Sequence, residues 1–132
     1  MHLQDKKILV FGGTGHLGAS LIHYLIKEEH LDPQNVRAFF LEGTTTQSLS
    51  DLEGLDLFPG NILSAESVEK AMEGQRLVFH MVGNTSFDPR KKKLQWLVNV
   101  EGTRNVLREC EKSPTFEKLV YTSTVNTLGL PD

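Results

Sequence analysis

The 132-residue chain has one cysteine, Cys110, so an internal disulfide is impossible and nothing ties the fold to an oxidising compartment. No apolar run approaches the ~18 residues that a membrane-spanning helix needs. A net charge of -3 gives no electrostatic reason to expect nucleic acid as a partner. His2, His16, His23, His30 and His80 show no metal-ligand spacing, so no metal site is expected. Internal repeats, linkers and low-complexity tracts are missing too. The opening residues run directly into a strand-like segment and leave no room for a signal peptide; a cytoplasmic location is expected. What remains is an ordinary globular composition, 39% hydrophobic and 23% charged, enough for one domain with its own core over residues 1–132.

Ile8-Leu9-Val10-Phe11 is a continuous apolar run ending in glycines, the pattern of a strand buried on both faces. Leu17, Leu21, Ile22, Leu25 and Ile26 then form a helical stripe over residues 16–29, ended by His30-Leu31-Asp32-Pro33. Further strands are predicted at 36–41, 55–60, 77–82 and 118–122. A helix capped by Ser64 runs to Gly74, and a long helix covers about 91–111 with Leu94, Leu97, Val98, Val106 and Leu107 inward. The stretch 43–50 is polar and reads as a loop. Alternation of strands and helices predicts an α/β fold of three layers, a parallel sheet in order 3-2-1-4-5 with helices on both faces. Arg90-Lys91-Lys92-Lys93 reads as a solvated helix start, Met72, Met81 and Cys110 as core, and Trp96 as core or partner-facing.

Between the first strand and the first helix lies Gly12-Gly13-Thr14-Gly15-His16-Leu17-Gly18. Glycines let the backbone turn sharply and approach a pyrophosphate, and the helix start offers free N–H groups and partial positive charge. The same glycines could serve a bare strand-to-helix turn, but a buried strand before and an amphipathic stripe after are the context of a dinucleotide site. At the end of the second strand, Leu41 and Glu42 stand where the adenosine ribose is read. An acid there accepts from the 2′-hydroxyl of NAD and repels the 2′-phosphate of NADP, a slight leaning towards NAD; Glu42 reads equally as a solvated loop residue.

Five landmarks in order give the chain a resemblance to the N-terminal part of the extended short-chain dehydrogenases/reductases, the NAD-dependent epimerase/dehydratase and dihydroflavonol reductase-like group. The glycine motif has Phe11 where Thr is usual. Pro59-Gly60-Asn61-Ile62 resembles the step flanking adenine, with Asn61 replacing Asp. Val78-Phe79-His80-Met81-Val82-Gly83 resembles the strand beside the cofactor phosphates, with Val82 replacing Ala. Asn99-Val100-Glu101-Gly102-Thr103-Arg104-Asn105-Val106-Leu107 matches the long-helix motif, and Val120-Tyr121-Thr122-Ser123-Thr124 the fifth strand. The resemblance implies a Rossmann-type domain holding NAD or NADP. Gly12, Gly13, Thr14, Gly15, His16, Leu17, Gly18, Leu41 and Glu42 would contact it, with Asn61 and Ile62 near the adenine and Val82 and Gly83 near the phosphates or nicotinamide ribose. It makes Thr124 the hydroxyl that donates to a substrate oxygen and Asn99 the residue that organises the site.

The Tyr-x-x-x-Lys pair that this family uses for proton transfer does not occur. Tyr24 and Tyr121 are followed four residues later by Glu28 and Val125, and Tyr121 reads as part of a buried strand. The domain is therefore expected to stop after the fifth strand, at Leu130-Pro131-Asp132, and to be inert by itself. The uncovered fifth strand then invites self-association into a homo-oligomer. The function expected of the intact protein is that of an oxidoreductase, epimerase or dehydratase acting on a small carbonyl, alcohol or sugar-nucleotide substrate. A cofactor-sensing module without catalysis is the second reading, and a non-binding interaction domain the third.

Overall fold

Ile8, Leu9, Val10 and Phe11 are all fully buried, which only a central strand covered on both faces permits. In the computed structural model, which describes residues 2–129, these four residues are strand β1 (Ile8–Phe11). Leu130-Pro131-Asp132, where the sequence reading ends the domain, lie outside the described residues, as does Met1. The other described strands are β2 (Val36–Leu41), β3 (Asp56–Gly60), β4 (Leu77–His80) and β5 (Lys118–Tyr121). They form one sheet in the order β3-β2-β1-β4-β5, with every neighbouring pair parallel. The Rossmann-type topology expected from the sequence is thus present, with its strand order reversing direction at β1.

Alternate residues of each strand feed two cores. On one face Ile8, Val10, Val36 and Ala38 pack under α1 (His16–Lys27) through Ile22 and Leu25. Helix α1 ends where His30 takes a left-handed φ of 56° and the Leu31 N–H reaches back to the Leu25 carbonyl at 3.0 Å. On the other face Leu9, Phe11, Phe39 and Val78 pack under α2 (Ala65–Met72) and α4 (Thr103–Lys112) through Val68, Ala71, Val106 and Cys110. Ser64 caps α2 by accepting from the Ser67 N–H at 3.2 Å, as its position predicts.

The polar stretch after β2 contributes more than a loop. It holds a short 3₁₀ turn (Gln47–Leu49), and Leu49 and Leu52 are buried in the α1-side core. The long helix is not uniform. It is built from α3 (Lys92–Trp96), a π-helical turn (Leu97–Gly102) and α4. Leu94 and Leu107, expected inward, are about half exposed, and so is Leu17 on α1. Val106 is buried as expected, and Leu97 and Val98 are half-buried. Strand β5 ends at Tyr121, one residue early, and Tyr121 is 50% exposed rather than buried. Among the described residues, β5 pairs with β4 alone and leaves its outer edge open. No helix among these residues is long and apolar enough to cross a membrane.

Candidate functional site

The β1–α1 turn is shaped by contacts that leave no room for side chains. Gly12 has φ +83°, a conformation L side chains rarely adopt. The N–H groups of Gly12 and Gly13 both donate to the Phe39 carbonyl on β2 at 3.0 Å, which pins the turn to the neighbouring strand. A methyl group at Gly18 would lie 2.0 Å from the Gly12 carbonyl oxygen, and one at Gly13 would lie 2.8 Å from the Ala38 side chain. Gly15 precedes the first turn of α1 and offers no capping side chain. Among the described residues, the N–H groups of Thr14, His16, Leu17 and Gly18 find no protein acceptor. A helix start with free donors and no carboxylate in its first turn suits an anion.

This turn forms one wall of a cleft of about 530 Å³ at the carboxyl ends of β1, β2, β3 and β4. Of the residues expected to touch a dinucleotide, Gly12, Thr14, Leu41, Asn61, Ile62, Val82 and Gly83 line it. Gly13 and Gly18 lie beneath the turn as packing positions. Gly15 and His16 face a neighbouring recess with Ser20, His23 and Ser48, joined to the cleft through Thr14. Leu17 and Glu42 are exposed and outside the lining. The Asn61 side chain is engaged locally. Its Oδ1 accepts from the Leu63 N–H at 2.9 Å, while its own backbone N–H donates to Ser67 Oγ at 3.0 Å.

The far wall is held by the π turn. Asn99 Oδ1 accepts from the Asn84 N–H at 2.7 Å, and its Nδ2 donates to the Asn84 carbonyl at 2.9 Å. Gln95 Nε2 donates to the same carbonyl at 3.0 Å. Asn99 therefore fixes the loop following β4. Gly102 packs directly on Ile62, where an added methyl would come within 2.9 Å of Cγ2, and Asn105 Nδ2 donates to the Ile62 carbonyl at 2.9 Å. The long-helix motif thus grips two loops of the cleft through different residues. A widened helical turn often marks a functional site, and here it presents Asn99 and Gln95 together.

Thr124 is not brought to the cleft. It is exposed, it lies beyond the end of β5, and its hydroxyl accepts from the Asn126 N–H at 3.3 Å to cap a short turn (Val125–Leu128). Sequence reasoning missed Gln95, Leu94 and Val98 in the far wall and missed His80 beneath it. His80 is fully buried, and burial pushes its imidazole down to about 4.

Residues 9–131 match the 3-beta hydroxysteroid dehydrogenase/isomerase family. The chain belongs to this family. Reductases of the kind the five sequence landmarks resemble are among the chain's relatives. The chain is 34% identical over 95% of its length to short-chain dehydrogenase/reductase family 42E member 1 of Danio rerio. It is 28% identical over 98% of its length to anthocyanidin reductase of Arabidopsis thaliana. It spans 31% and 39% of those two relatives. The UDP-glucose 4-epimerase of Thermus thermophilus, solved in complex with NAD, superposes with a TM-score of 0.75 at 27% identity, over 89% of this chain and 37% of that one.

Proposed function

We propose that the chain is the cofactor-binding domain of an NAD(P)-dependent oxidoreductase, epimerase or dehydratase acting on a small carbonyl, alcohol or sugar-nucleotide substrate. The observation that carries this reading is the cleft at the strand-order reversal, walled by a glycine turn whose helix-start N–H groups are free. Family membership and the NAD complex of a similar structure support it.

The residues present fit a dinucleotide. The 12–18 turn holds the pyrophosphate by backbone donors, since bulky groups are excluded there by the Gly12 conformation and the Gly18 contact. Leu41, Ile62 and Asn61 flank the adenosine, and Val82 and Gly83 the following phosphates or ribose. Glu42 at the end of β2 favours the 2′-hydroxyl of NAD over a 2′-phosphate. Bound there, the nicotinamide supplies hydride transfer. Asn99 and Gln95 keep the loop at 82–86 rigid. In the intact protein Thr124 donates to a substrate oxygen. The chain itself has no Tyr-x-x-x-Lys, so it binds cofactor without turning substrate over.

The test is titration of the purified chain with NADH, followed by the fluorescence of the reduced nicotinamide, beside a hydride-transfer assay on simple carbonyl compounds. Saturable binding with no turnover is expected. Absence of binding of either NADH or NADPH would overturn the reading; turnover would overturn the inertness.

A further inference from the structure

His80 closes β4 inside the molecule and is not part of the cleft lining. Its Nε2 lies 2.8 Å from the Thr103 hydroxyl, at the junction between the π turn and α4, and its Nδ1 has no partner. A buried ring with one nitrogen unmatched is a poor choice for filling space, because an apolar residue of similar size would leave no polar atom unsatisfied. Both aspects of the ring are also used. Tyr121 of β5 stacks on its face at 5.0 Å and 12°, and Phe11 of β1 meets it edge-on at 6.1 Å and 84°.

The strand after Tyr121 is held at the same place. The Thr122 N–H donates to the His80 carbonyl at 3.2 Å. Among the described residues, this is the only hydrogen bond joining residues 122–129 to the rest of the chain. Thr122, Ser123 and Thr124 are exposed. Their departure from the sheet is thus governed by what fixes Tyr121 and the His80 backbone.

We propose that His80 is a positioning residue: held by the Thr103 hydroxyl and stacked against Tyr121, it sets where the Thr122-Ser123-Thr124 segment leaves the sheet, and so where the Thr124 hydroxyl stands relative to the cofactor cleft. The functional consequence rests on the reading of Thr124 as a substrate donor; the placement itself does not.

The experiment compares amide NMR spectra and amide hydrogen exchange of the isotope-labelled chain as wild type, Thr103→Val, His80→Leu and His80→Phe, with an NADH titration of each. Thr103→Val removes a hydroxyl at nearly constant shape, and the partner that hydroxyl loses is His80. In Thr103→Val and His80→Leu the amide signals of Thr122, Ser123 and Thr124 should shift, and the Thr122 N–H should exchange about tenfold faster as its local opening becomes easier. His80→Phe, which keeps a stacking face, should hold those signals closer to wild type than His80→Leu does. Changes confined to the neighbours of residues 80 and 103, or spread evenly over the chain, would overturn the proposal. If His80→Leu fails to fold, Thr103→Val decides alone. Failure of the wild-type chain to bind either NADH or NADPH would overturn the cofactor reading and leave the amide result standing. Unmoved 122–124 signals with normal NADH binding would overturn the positioning role alone.

Discussion

Gly15 and Gly18 share one turn but are glycine for different reasons. A methyl group at Gly18 would meet the Gly12 carbonyl at 2.0 Å, backbone against backbone, with no flexible side chain to yield. At Gly15 the nearest atom would be 3.3 Å away and φ is -70°, a value open to any residue. Gly18→Ala should therefore destabilise the fold by about 1–3 kcal/mol, as overpacking does, read from the urea midpoint. Gly15→Ala should unfold near the wild-type midpoint yet bind NADH about tenfold more weakly or worse, since only the approaching pyrophosphate needs that space. Wild-type NADH affinity in Gly15→Ala would remove the turn from the binding site. Glu42 is exposed at the end of β2, so its replacement leaves packing untouched. Glu42→Arg should raise the NADPH-to-NADH affinity ratio by about tenfold, through attraction of the 2′-phosphate in place of repulsion. An unchanged ratio would make Glu42 a solvated loop residue.

The π turn is the element on which the far wall depends. Asn99→Ala strips the Asn84 N–H of its acceptor, while Gln95 still holds the Asn84 carbonyl. A loss of about 1–2 kcal/mol in stability is expected for the unmatched donor, with weaker NADH binding and faster proteolysis at residues 84–88. Intact protection of that loop would mean that the Asn99 clamp is incidental. The same turn explains what the sequence could and could not tell. Strand order and the glycine turn were legible because doubly covered strands appear as unbroken apolar runs, as at Ile8-Leu9-Val10-Phe11. The inward face of the long helix was not. A π turn carries an extra residue, so the apolar stripe slips by roughly 100° between α3 and α4. Leu94 is half exposed because it lines the open cleft, and Leu107 is half exposed on α4. Leu49 and Leu52 lie among polar residues with no period to mark them, although both are buried. Val120 and Tyr121 read as buried because an apolar run carries no sign of standing at a sheet edge. Gln95 and His80 owe their roles to partners distant in sequence, Asn84 and Thr103, which no local pattern discloses.

For the molecule as a whole, two sets of titrating groups act in separate pH windows. Glu117 is held below its ordinary value by hydrogen bonds from Lys6 and then Arg76, joining the N-terminus to the start of β5. Asp88 is lowered in the same way by Arg90. Lowered carboxylates give stability that is present above their unfolded values and lost as pH falls through the folded ones, a window at and below about pH 4. His80 acts earlier. Its folded value, about 4, lies below the ordinary 6.5, so between these limits the unfolded chain takes up a proton that the native one refuses. Stability contributed by the neutral imidazole is complete above pH 6.5, declines as pH drops, and levels off near 4. At roughly 1.4 kcal/mol per pH unit, the loss between pH 6.5 and pH 5 is about 2 kcal/mol, before the carboxylates contribute. His80→Phe retains a ring against Tyr121 but cannot titrate. Urea unfolding of both proteins at intervals from pH 7 to pH 5 should show a falling wild-type stability and a markedly flatter variant. Parallel slopes would mean that the His80 imidazole reaches solvent or a buried acceptor, and that the native chain protonates it as readily as the unfolded one.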